Sequence, residues 1–136
     1  MSHFGQPVSY ETANDPLFRM RAYRLAVELM DAAWLDARSL SAERVTERIA
    51  GQLYAAISSV GANIGEGYSR SSGKERAHIF EYALGSVRES IHWYRASRPV
   101  LGETVTSRLN TLEELRRLLL AIIPRERGRR MPPTKR

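Results

Sequence analysis

The sequence predicts an all-α protein folded as an antiparallel up-and-down four-helix bundle. Three observations predict it. Apolar residues recur at three- and four-residue steps through four segments, the spacing of one helical face. Each segment is bounded by residues that start or stop helices. No run shows the strict alternation of a half-buried strand bounded by turns. Long amphipathic helices joined by short loops pack as antiparallel neighbours.

The chain of 136 residues divides into a flexible lead-in at 1–14, a bundle at 15–124 and a basic tail, expected to be disordered, at 125–136. Asp15 can cap the first helix, with Pro16 where a missing amide proton costs nothing. Met20, Tyr23, Val27, Met30 and Trp34 carry its stripe to about Ala37, and Ser39-Leu40-Ser41 interrupts it. Ser41 is the candidate cap of a second helix lined by Ile49, Leu53, Ala56 or Ile57, Val60 and Ile64. Gly67 suits a left-handed end for that helix. Ser72-Gly73-Lys74-Glu75 fits a capping box for a third helix, with Ile79, Ala83, Val87, Ile91 and Tyr94 on one face until Pro99. Thr104 can cap the fourth, which carries Leu109, Leu112, Leu115, Leu119 and Ile122 and is expected to stop at Pro124. The two middle helices, near 27 residues each, would be about 40 Å long at 1.5 Å per residue.

Composition narrows the function. Hydrophobic residues at 43% and charged residues at 26% belong to a chain that folds. The absence of cysteine excludes disulfides, thiolate metal sites and cysteine nucleophiles. The longest apolar run, Leu118 to Ile123, is far short of the roughly 20 residues of a membrane span. Met1 to Pro7 shows no basic stretch leading into an apolar one, so the expectation is a soluble cytoplasmic protein with no membrane partner. Of the net charge of +6, residues 125–136 carry +5 through Arg125, Arg127, Arg129, Arg130, Lys135 and Arg136 against Glu126. Such a segment is either a phosphate-contacting arm or a solubilising end.

Chemical motifs are sparse. Gly67 to Lys74 is not a phosphate loop: five residues separate Gly67 from Gly73, Glu75 follows the lysine, and no strand precedes. Glu89 and His92 have the Glu-x-x-His spacing of di-iron bundles, but once only, and His78 lies about 21 Å away along the helix. The serines lack a local base and orienting acid. We therefore expect no catalytic residue, no metal and no cofactor. Gly61 and Gly65, with Gly85 and Ser86, would allow helices to approach closely. Asn63, Glu66 and Arg70 share one face, either as a solvated pair of Glu66 with Arg70 or as a partly buried network.

The run Ala62-Asn63-Ile64-Gly65-Glu66-Gly67 is followed by Arg70, Ser72, Lys74-Glu75, Ala83, Gly85-Ser86 and Glu89. In this order it resembles the four-helix-bundle family first met as proteins encoded in bacterial 23S ribosomal RNA intervening sequences. It is more distantly similar to the accessory variability determinant of diversity-generating retroelements. The resemblance runs from about Phe18 to Ile123 and leaves the basic tail outside. It implies a homopentameric ring of bundles, and through the distant relative it implies work with nucleic acid. The family-motif residues Asn63, Glu66, Arg70, Lys74, Glu75 and Glu89 are then expected to form a polar network.

Two functions follow as expectations. The first is a non-enzymatic bundle that binds RNA non-specifically through the tail cations, with Arg116 and Arg117 as additions. The second is a structural or adaptor ring that binds a protein partner, with Trp34, Tyr54, Tyr68, Trp93 and Tyr94 facing neighbours.

Overall fold

The computed structural model describes residues 14–129. Asp15 and Pro16 start a helical turn: the Asp15 carboxylate accepts from the Leu17 amide at 3.0 Å. The turn is a 3₁₀ helix, Pro16–Arg19, that gives way at Met20. The first long helix, α1, spans Arg21–Ser41, and so begins and ends later than its spacing predicts. Helix α2 spans Glu47–Tyr68, α3 spans Gly73–Ala96, and α4 spans Thr104–Arg127. A single helical turn, Arg98–Leu101, joins α3 to α4. At 22 and 24 residues, α2 and α3 are shorter than expected. Helix α3 packs between α2 and α4, α1 packs on α2, and α1 touches α4 more lightly. None of the described helices is long and apolar enough to cross a membrane.

Several predicted boundaries move, each for a local reason. Ser39-Leu40-Ser41 does not break α1, because Leu40 is fully buried and its carbonyl accepts from the Thr46 hydroxyl at 2.8 Å. Gly67 remains helical; the left-handed backbone belongs to Gly102, at φ 59°. The capping box forms in altered form: Ser72 Oγ accepts from the Glu75 amide at 3.1 Å and donates to the Glu75 carboxylate at 3.0 Å. Thr104 lies inside α4, and Glu103 precedes it without a side-chain cap.

Pro124 does not stop α4. A proline removes one helical hydrogen bond and crowds the preceding turn, a cost that ion pairs beyond it offset here. Glu126 accepts from Arg76 Nε at 2.9 Å, and Arg127 donates to Glu81 at 2.7 Å. Arg125 and Arg127 therefore extend a helix docked on α3 and do not begin a loose arm. Arg130, Lys135 and Arg136 lie outside the described residues, as does the lead-in before residue 14.

The core is made of Leu, Ile, Val and Ala from all four helices, with Phe80 and Tyr94 of α3. In α1 the buried stripe is Ala22, Leu25, Ala26, Leu29, Ala33 and Leu40, offset from the predicted one. The larger predicted residues flank it, and Trp34 is 37% exposed. Small side chains inside and large ones beside them let α2 approach, where a Cβ on Gly61 would lie 3.6 Å from Ala26 Cβ.

Two other glycines set the position of α3. A Cβ on Gly67 would lie 2.8 Å from the Phe80 ring, and one on Gly73 only 2.1 Å from the Glu126 carbonyl oxygen. Gly85, read from sequence as a packing glycine, has nothing within 4 Å of its would-be Cβ and is exposed. Gly73→Ala should therefore destabilise the bundle by about 1–3 kcal/mol, because backbone must move. Gly85→Ala should stabilise it by about 0.5–1 kcal/mol, the ordinary helix preference for alanine. Urea denaturation of both variants measures the two opposite signs.

Candidate functional site

Polar clusters occupy both ends of the bundle. At one end, Asp36 of α1 is buried at 5% exposure and accepts three hydrogen bonds. Tyr94 of α3 donates its hydroxyl at 2.6 Å, and Arg108 of α4 donates Nε at 2.7 Å and Nη2 at 3.3 Å. A buried carboxylate is costly unless paired and hydrogen-bonded, and here it is both. Burial and the Asp36 carboxylate push the Tyr94 phenol far up, while the hydrogen bond to Asp36 raises Arg108. Tyr94 is fully buried, so it is not available to a protein partner, contrary to the sequence expectation. The cluster ties three helices together around a buried carboxylate, with the Arg108 side chain 23% exposed.

At the other end, Arg76 of α3 is 1% exposed. Its Nε donates to Glu126 at 2.9 Å and its Nη1 to the Arg70 carbonyl at 3.0 Å. Its Nη2 lies 2.8 Å from the same Glu126 oxygen, outside hydrogen-bond alignment, and is buried without a hydrogen-bond partner. Beside it opens a cleft of about 280 Å³, lined among others by Tyr68, Phe80, Arg125, Glu126 and Arg129. Arg129 pairs with Glu126 at 3.5 Å, whereas Arg125 has no carboxylate partner among the described residues.

The predicted site residues divide accordingly. Arg125 and Arg129 share the cleft, and Arg127 is drawn away by Glu81. Arg116 pairs with Glu113 at 3.0 Å, and Arg117 is exposed beside Glu114. Glu114 is itself held below the usual carboxylate range by its hydrogen bond from Arg21.

The family-motif residues do not meet in one network within the chain. Asn63 donates to the Ser59 carbonyl at 2.9 Å, and Arg70 pairs with Glu66 at 2.7 Å on exposed helix surface. Glu75 serves the Ser72 cap, Glu89 accepts from Trp93 Nε1 at 3.3 Å, and Lys74 is exposed. Each interaction is local because these side chains lie on outer faces. Sequence reasoning missed Asp36, Arg76 and Arg108. The available signal was a charge inside an apolar stripe: Asp36 between Ala33 and Leu40, Arg76 one turn before Phe80.

A second concavity, about 330 Å³, lies between α1 and α2 around Trp34, Ala37, Ala50, Gly51 and Tyr54. Trp34 and Tyr54 meet edge to face at 5.6 Å. Leu35 on α1 and Val45 in the turn that follows it are 51% and 91% exposed.

A family model described as 23S rRNA-intervening sequence protein matches residues 19–121. No curated protein and no solved structure matches the chain. The matched range takes in most of the four long helices and leaves Arg125, Glu126 and Arg129 beyond it.

The raised phenol has a definite pH consequence. Below about pH 10 the Tyr94 hydroxyl is neutral in folded and unfolded chains alike, and its contribution to stability is fully present. As pH rises further, the unfolded chain gives up a proton that the folded chain keeps, so stability is lost. Tyr94→Phe should lower stability at neutral pH by about 1–3 kcal/mol and flatten the alkaline decline. Urea midpoints of both proteins between neutral pH and about pH 11 test the slope against the other tyrosines as background.

Proposed function

The chain belongs to the family of 23S rRNA-intervening sequence proteins, by its match over residues 19–121, and from that premise we propose that it is a non-enzymatic RNA-binding helical bundle. The observation that carries the reading is where the positive charge lies. Residues 125–136 hold +5 of the net +6, and Arg125, the first of them, has no carboxylate partner among the described residues. Cations that no carboxylate holds can neutralise phosphates and release the counterions condensed on the nucleic acid, giving affinity that is insensitive to sequence and steeply dependent on salt. Arginine suits this role through its planar, doubly donating guanidinium, and the chain uses arginine almost to the exclusion of lysine.

The α1–α2 groove favours a second reading, an assembly protein. Trp34, Leu35 and Val45 leave apolar surface in water, and the family resemblance implies a ring of five copies. That ring would gather the basic segments and raise local positive potential. A sedimentation profile holding only single chains removes the ring.

RNA binding is best tested without disturbing the fold. Cutting at Pro124 would remove Glu126 and leave buried Arg76 uncompensated, so the informative truncation deletes residues 130–136. Fluorescence anisotropy with a labelled structured RNA at several salt concentrations should show weaker binding after truncation. The slope of log affinity against log salt should become shallower by about 0.7–0.9 for each phosphate that the shortened chain no longer neutralises. No binding by the full chain at low salt overturns the RNA reading and leaves the assembly reading.

A further inference from the structure

We propose that the cleft between the start of α3 and the end of α4 is a binding pocket for a phosphate monoester carried by a nucleoside. The proposal deepens the RNA-binding reading and rests on it for its biological setting. Three arginines, Arg76, Arg125 and Arg129, and one carboxylate, Glu126, line the cleft. The lining is therefore cationic by two charges, the complement of a doubly ionised phosphate. Arg76 brings a second observation. It is 1% exposed, and its Nη2, 2.8 Å from Glu126 Oε2 but out of hydrogen-bond alignment, is ion-paired without a hydrogen bond of its own.

Helix geometry explains why the arginines gather there. Arg125 stands on the last turn of α4 and Arg129 just beyond its end, and both side chains line the cleft. Gly73 lets that turn settle directly over the first turn of α3. Tyr68, partly exposed, also lines the cleft and supplies an aromatic face for a base, whereas Phe80 is buried at 2% exposure. At about 280 Å³ the cleft is at the small end of ligand sites, sized for a single nucleotide and not for a length of strand. Arg125, exposed and without a carboxylate partner among the described residues, is the side chain freest to close on a phosphate in the paired-donor geometry that guanidinium offers.

The experiment uses the full chain, an Arg125→Gln variant, and an Arg88→Gln variant that removes the same charge from the exposed face of α3 away from the cleft. Anisotropy compares one RNA with a 5′-phosphate and with a 5′-hydroxyl end, and calorimetry measures adenosine 5′-monophosphate against adenosine. The full chain and Arg88→Gln should prefer the phosphorylated end by about tenfold, and Arg125→Gln should lose the preference. Binding of the mononucleotide alone, lost in Arg125→Gln, with no preference between RNA ends, also supports the pocket and assigns it to a free nucleotide. If RNA fails to bind while the mononucleotide does so through Arg125, the pocket stands and the RNA reading falls. Equal binding of both RNA ends with no mononucleotide binding, or a preference that survives Arg125→Gln, overturns the pocket and leaves RNA binding intact.

Discussion

The arrangement of this bundle depends on a buried carboxylate. Asp36 sits among apolar residues of α1, and it is tolerable there only while Tyr94 and Arg108 supply its hydrogen bonds. Apolar stripes alone let helices slide or rotate with little change in buried area. The Asp36 cluster permits one alignment of α1, α3 and α4, because a shift of one turn would strand a charge in the core. Its contribution is therefore to specificity of packing more than to net stability. Replacing all three partners with apolar residues of the same volume can be neutral, whereas removing one partner is costly. Arg76 and Glu126 place a second such constraint at the far end of α3. Between these two points the Leu, Ile and Val side chains fill the space without having to specify the register.

Close approach is the complementary constraint. Glycine appears where helices would otherwise collide: Gly61 against Ala26, Gly67 under the Phe80 ring, and Gly73 under the last carbonyls of α4. The Gly73 approach couples the two constraints, since Glu126 supplies both the backbone oxygen over Gly73 and the carboxylate that neutralises Arg76. Glycine within a helix costs roughly 1 kcal/mol relative to alanine, so its placement marks where that cost is offset by packing. Gly51 and Gly85 have no such offset within the described residues. Gly51 lines the Trp34–Tyr54 groove, where a larger side chain would narrow the concavity.

Much of this was legible in the sequence. Four helices follow from apolar period and punctuation, and the buried stripes of α2 and α4 are close to those read from Ile49 to Ile64 and from Leu109 to Leu119. The stripe of α1 was misread because large apolar residues dominate a periodicity count, whereas burial there falls to the alanines on the adjoining face. Pro124 was misread for a related reason. Local propensity ends a helix at proline, but the ion pairs from Arg76 and Arg127 are long-range and invisible to a local rule. The clamps themselves were missed because a charge within an apolar stripe has no visible partner until the helices are brought together. The family motif was legible as a pattern but not as a network, since its side chains interact only locally on outer faces.

The structure also separates formal charge from available charge. A count of arginines near the chain end treats Arg125, Arg127 and Arg129 alike, yet their surroundings differ. Arg127 is neutralised across the helix interface by Glu81, and Arg129 shares Glu126 with a buried arginine. Only Arg125 among them meets solvent with its charge uncompensated by any described carboxylate. A paired surface cation gains little on meeting a phosphate, because it must give up one anion to take another. An uncompensated cation gives up no fixed anion when it neutralises a phosphate and displaces that phosphate's condensed counterions. Any affinity of this chain for a polyanion should therefore follow the cations that no carboxylate holds and not the net charge alone. The end of α4, docked by two ion pairs, thus presents one open guanidinium over a small cleft, an arrangement unlike a row of interchangeable charges.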